Sequence, residues 1–208
     1  MTSPARQARQ RILAALADNQ DQTLIFSSAE QEIFHHFRQH SALLKSIQSE
    51  KTREAEKARL LPEYSGHIEG VMAGNSSSPI FAGLTLWAID AGQLDQGAQM
   101  AVHAIKQKLT FDDEFKRTAP EVFAEEIAKR VLDGVEISPD NLESLLTVLV
   151  DVDINDKIRA KLYKANAQLI ETEQPDTALN YYRQADDLDE RSGVKKKIAE
   201  LEKLTTRT

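Results

Sequence analysis

Proline constrains this chain most, because a residue without a backbone N–H is tolerated in the first turn of a helix and breaks a helix interior. Each of the six prolines falls where a helix would start. Ser3 caps Pro4, Ser78 caps Pro79, Ser138 precedes Pro139 with Asp140 in the first turn, and Pro175 is followed by Asp176. Thr118 and Glu121 have capping-box spacing around Pro120, and Pro62 with Glu63 restarts a helix after Leu60 and Leu61. Between these signals the apolar residues recur at helical spacing: Leu84, Trp87 and Ala91, then Ala98, Ala101, Val102 and Ile105, then Val122, Ile127 and Val131. Only Thr147 to Ile154 alternates like a strand, and it is read as the end of the helix that begins at Pro139.

The expected fold is therefore all-α: a long N-terminal oligomerisation helix, then a helical bundle, then a C-terminal tetratricopeptide-like (TPR-like) helical hairpin. The expected segments are a basic arm and short helix over 1–27, the long helix and its partner over 28–75, a central helical bundle over 76–156, and the hairpin with a basic end over 157–208. From Ala29 to Leu61 there is neither glycine nor proline. Ile33, Phe37, Leu44 and Ile47 form a stripe with heptad spacing if His40 fills the missing position, so these residues are expected to face neighbouring subunits. Arg38, Lys45 and Arg59 share one heptad position and read either as a row facing DNA or as a solvated face, since Glu50 with Arg53, Glu54 with Lys57 and Glu56 with Arg59 stand at i,i+3. In the last quarter Leu162, Ala165, Leu169, Ala178, Tyr182 and Ala185 have the packing pattern of one tetratricopeptide unit, with Glu190 where that motif's closing proline would stand. One such unit cannot bury its own face, so a helix over Val194 to Leu204 is expected to cap it.

With 208 residues and 41% hydrophobic content the chain can bury a substantial core. Cysteine is absent, which rules out disulfides and thiolate metal sites and suits a reducing compartment. No apolar run approaches the roughly 20 residues that span a bilayer, and the N-terminus lacks a signal-peptide pattern, so no membrane association is expected. The net charge of −7 is unevenly spread: residues 1–11 carry +3 from Arg6, Arg9 and Arg11, residues 191–208 carry +4, and the body between them carries −14. An acidic body with basic ends suits a protein whose ends meet phosphate, or simply one with solubilising termini.

Catalytic patterns are few. Asp151, Asp153 and Asn155 imitate the start of a calcium loop, but Asp156 stands at the glycine position and Leu162 at the bidentate glutamate position. His36 and His40 are four apart with Glu32 one turn earlier, yet the segment HFRQH lacks the glutamate of a zincin. Glu114 and Lys116, beside Asp112 and Asp113, make an ExK pair without an evident strand to carry it. No phosphate-cradling G-x-x-x-x-G-K-[ST] loop is present, and Trp87 reads as a core anchor. The sequence thus predicts no catalytic residue, no metal site and no cofactor.

Spaced fragments carry a resemblance. RLLP at Arg59–Pro62 with Tyr64, GVM at Gly70–Met72, LWAIDAG at Leu86–Gly92, FKRTAP at Phe115–Pro120, EEIA at Glu125–Ala128, AKL at Ala160–Leu162 and SGVKKKIAELEK at Ser192–Lys203 resemble, in order and spacing, the small terminase subunits of cos-packaging temperate tailed phages, the M protein family. That resemblance implies an all-helical subunit in the host cytoplasm that binds double-stranded phage DNA at the packaging site, forms a ring-shaped homo-oligomer, and works with a large ATPase/nuclease subunit. The family is labelled an endonuclease subunit. Ser76, Ser77, Ser78 and Pro79 stand where the family pattern has an acidic pair, and the family's long basic C-terminal extension has no counterpart after Thr208. The expected DNA contacts are Arg6, Arg9, Arg11, Arg38, Lys45, Lys195, Lys196 and Lys197. Two other readings stay open: that this chain is itself the cos-cleaving endonuclease, and that it is a helical-repeat adaptor for protein partners.

Overall fold

The computed structural model describes residues 28–74, 78–111 and 117–205. The helices are α1 (Ser28–Ser46), α2 (Glu50–Leu60), α3 (Ser65–Gly74), α4 (Phe81–Asp90), α5 (Leu94–Lys106), α6 (Ala119–Leu132), α7 (Pro139–Leu149), α8 (Asp156–Ile170), α9 (Pro175–Leu188) and α10 (Lys195–Thr205), with a 3₁₀ turn at Leu61–Tyr64. Among the described residues no strand forms, so the all-α expectation holds. The chain divides into two compact units between residues 39 and 40. Ser3 and Pro4, with the short helix they predict, lie outside the described residues.

One expectation changes at the start. The uninterrupted helix expected from Ala29 to Leu61 is two helices, α1 and α2, separated at residues 47–49. The cause is local: the Ser49 hydroxyl accepts the backbone N–H of Thr52 at 3.3 Å and caps α2, with Glu50 in its first turn and Lys57 and Arg59 in its last. Serine competes for backbone partners more effectively than it supports a helix interior, and here it ends one helix and starts the next.

In the unit of residues 40–208, α4 is the central element. Phe81, Ala82, Leu84, Thr85, Trp87, Ala88 and Ile89 are all buried, the composition of a helix enclosed on most sides. Thr85, polar at 0% exposure, donates its hydroxyl to the Phe81 carbonyl at 2.9 Å, which satisfies it without leaving the helix. Trp87 is a core anchor as expected: its ring meets Tyr64 edge-on at 5.9 Å between centroids, and Tyr64 meets His40 the same way at 6.0 Å. Burial pushes the Tyr64 hydroxyl up to about 12, so it stays protonated beside His40, whose Nδ1 lies 2.7 Å away.

Packing then propagates along the chain. α4 packs on α5 and α6, α5 on α7, α6 on α8, α8 on α9, and α9 on α10. Each helix covers the next or the next but one, so a continuous core forms by stacking. At Gly97 of α5 an added Cβ would sit 2.8 Å from Ile89 Cγ1 and 3.2 Å from the Ile89 backbone N, so glycine sets how closely α5 approaches α4.

Thr118 and Glu121 form the expected capping box, and hydrogen bonding from the Thr118 N–H at 3.0 Å holds the Glu121 carboxyl below its ordinary range. Pro139 and Pro175 lie in the first turns of α7 and α9 as expected. Ser138 caps by position only, and its N–H donates to Asp95 Oδ1 of α5 at 2.8 Å. Ser78 departs further: α4 begins at Phe81, and the buried Ser78 hydroxyl is held by His67 Nε2 at 2.8 Å. The strand-like stretch forms no strand, but it is only in part the end of α7 as expected: the helix stops at Leu149, and residues 150–155 form a connector in which Asn155 Oδ1 accepts the Lys157 N–H at 3.0 Å and caps α8.

The last three helices share a core of Ala160, Ala167, Ala178, Tyr182, Ala185 and Val194, among others. α8 and α9 are joined by residues 171–174 and pack as a hairpin, with α10 against α9. The alanines allow the helices to approach closely, and Tyr182 carries its hydroxyl to Glu171 Oε2 at 2.8 Å.

Candidate nucleic-acid interface

The cations expected to meet DNA are distributed unequally. Arg6, Arg9 and Arg11 lie outside the described residues, as do Asp112, Asp113, Glu114 and Lys116. Arg38 and Lys45 on α1 are exposed, and so are Lys195 and Lys196 in the first turn of α10. Lys197 is exposed too, but its ammonium is 2.7 Å from Glu171 Oε1, and that hydrogen bond raises its affinity for the proton. Glu171 thereby bridges Lys197 and Tyr182 and ties α10 to the turn between α8 and α9.

Arg59, the third member of the expected α1–α2 row, is held by Glu56 through two hydrogen bonds of 3.0 and 2.7 Å. That is one of the three i,i+3 pairs expected on α2. The Glu54–Lys57 pair gives way to tertiary partners: Glu54 pairs with Arg130 of α6, and Lys57 with Asp90 at the end of α4. Arg130 also lies 3.7 Å from Asp90, and Lys129 lies 3.9 Å from Glu50. Glu50, Glu54, Lys57, Asp90 and Lys129 line a cleft of about 270 Å³ between α2, α4 and α6. Both signs of charge are present, so the cleft is an ion-pair seam that seats a polar helix on an apolar bundle, and it has little attraction for an anion. Neither Arg130 nor Asp90 was singled out by sequence reasoning, because their partners lie 76 and 33 residues away.

The apolar stripe on α1 is also divided. Ile33, Phe37 and Ile47 are half-buried, whereas Leu44 is 4% exposed. Leu44 is therefore a core residue of its own chain, and only the other three stripe residues keep accessible surface. His40 spends its Nδ1 on Tyr64, and among the described residues no three His, Asp or Glu side chains converge where a metal could be held.

Fold and surface together define a helical-stack protein in which some charged residues lock the helices together and others, Lys195 and Lys196 among them, stand exposed. The family model of the phage small terminase subunit matches residues 34–157, from within α1 to the start of α8, and the chain belongs to that family. It is similar to "Terminase, endonuclease subunit" of Escherichia phage P2, at 28% identity over 211 residues that cover 98% of this chain and 85% of that protein. No solved structure matches. Among the described residues no helix is long and apolar enough to cross a membrane.

Proposed function

We propose that this chain is the packaging-site recognition subunit of a phage terminase: it binds double-stranded phage DNA at cos and regulates a large ATPase/nuclease subunit, as a homo-oligomer closed into a ring. Membership of the small terminase family supports a role in phage DNA packaging, and this observation carries the reading. The exposed cations Arg38, Lys45, Lys195 and Lys196 supply phosphate contacts that are weak singly and strong when repeated around an oligomer. Regulation falls to this chain because its sequence has no phosphate-cradling loop of its own.

The name of the phage P2 relative, an endonuclease subunit, favours a second reading in which this chain cuts DNA. One experiment separates the two. The purified chain is incubated with cos DNA and magnesium or manganese, with and without the large subunit and ATP. The regulatory reading expects binding without cleavage, and cutting only in the complete mixture. Metal-dependent cleavage by the chain alone, abolished by Asp113→Ala or Glu114→Ala, would overturn it. Failure to bind DNA even at low salt would leave the adaptor reading.

A further inference from the structure

A second basic surface lies where sequence reasoning placed none. α6, α8 and the turn between α9 and α10 enclose a groove of about 320 Å³ lined by Glu125, Lys157, Lys161, Lys164, Asp189 and Ser192 with several apolar neighbours. The three lysines stand at i, i+4 and i+7, on one face of α8, and span roughly 10 Å along its axis. Both acids in the groove are already engaged. Glu125 is ion-paired with Arg117, and Asp189 Oδ1 accepts the Arg191 N–H at 3.0 Å. Lys164 donates to the Ser192 carbonyl at 2.8 Å, which fixes the turn, whereas Lys157 is exposed and Lys161 half-buried. Ser192 brings a buried hydroxyl with no hydrogen-bond partner. Beyond Ser192 and Gly193 the chain enters α10, so exposed Lys195 and Lys196 follow within four residues of the groove's rim.

Resting on the DNA-binding reading above, we infer that this groove is a track for the phosphate backbone of duplex DNA, in which Lys157 and Lys161 make the contacts and Lys195 and Lys196 extend them. On a chain with net charge −7, three lysines against Asp189 and a Glu125 already paired with Arg117 leave the groove lining with an excess of positive charge. Lysine acts as a point charge and takes phosphate from any sequence, so the groove positions DNA and reads no bases. An extended row carried by two elements fits an extended polyanion better than it fits a compact anion.

The test uses the full chain carrying Lys157→Gln with Lys161→Gln, leaving Lys164 to hold the turn. Each lost phosphate contact lowers the slope of log affinity against log salt by about 0.9, so this variant should lose a slope of about 2 and bind DNA more than about tenfold weaker near 0.1 M salt. A charge-matched control, Lys51→Gln with Lys106→Gln, should keep the wild-type slope. Independently, Lys157 and Lys161 of the wild-type chain should be protected from acetylation when DNA is bound. An unchanged slope together with unprotected lysines, while the wild type binds DNA, sinks the groove and leaves the broader reading intact. An equal loss in the control also overturns it, since net charge would then explain the effect. A variant that keeps its DNA slope and loses the large subunit would reassign the groove to protein docking. If the wild type binds no DNA at all, the DNA-recognition reading fails first and this inference falls with it.

Discussion

At the scale of single residues, the value of an ion pair here depends on what it joins. Arg130 reaches Glu54 and stands near Asp90, with its side chain 15% exposed, so removing it strips Glu54 of its partner in a partly dry seam and leaves Asp90 to Lys57 alone. Arg59 grips Glu56 within one turn of the same helix and is 60% exposed. Breaking a buried charged network by deleting one partner costs several kcal/mol, whereas an exposed intrahelical pair contributes little. Arg130→Ala should therefore lower stability by about 2 kcal/mol in urea unfolding. Arg59→Ala should leave the unfolding midpoint where it is, and equal effects would contradict the distinction.

At the scale of elements, α4 and α5 show how a helix stack sets its spacing. Gly97 rests on Ile89, which is 0% exposed and has no room to move away. Alanine at position 97 gains about 1 kcal/mol of intrinsic helix preference over glycine. It also forces a Cβ against Ile89 side chain and backbone, and overpacking of this kind costs roughly 1–3 kcal/mol. The strain is the larger quantity, so Gly97→Ala should destabilise the protein, and Gly97→Val more so, by thermal unfolding. A stabilised Gly97→Ala would mean that the two helices can separate freely. Gly66, where a Cβ would meet nothing within 4 Å, is the comparison: Gly66→Ala should be neutral or stabilising.

At the scale of the whole molecule the issue is assembly. Leu44 is a core residue of its own chain, so a substitution there tests folding. Ile33 and Phe37 retain accessible surface on α1 and belong to the stripe proposed to meet neighbouring subunits. Ile33→Asp with Phe37→Asp should convert the oligomer to monomers with unchanged helical circular dichroism, and those monomers should bind DNA weakly through loss of multivalency. An oligomer of unchanged mass, measured by light scattering, would place the subunit contact elsewhere.

What could be read from the chain alone was local. Thr118 with Glu121, Pro139 and Pro175 announce α6, α7 and α9 because the N–H groups of a helix's first turn must find partners within a few residues. The apolar periodicity of Val122, Ile127 and Val131 marked the buried face of α6, because residues at helical spacing share one side of the helix. The fragments that resembled the small terminase subunits pointed to the family that the comparisons then showed. Tertiary structure decided which charges are spent and which remain. Glu54 and Lys57 stand at helical spacing yet turn to Arg130 and Asp90, Lys197 is taken by Glu171, and the lysines of α8 look like a solvated face until α6 and the turn after α9 close beside them. Those outcomes depend on which groups face one another across gaps of tens of residues, and an electrostatic interaction is set by distance and surroundings, which position along the chain does not specify.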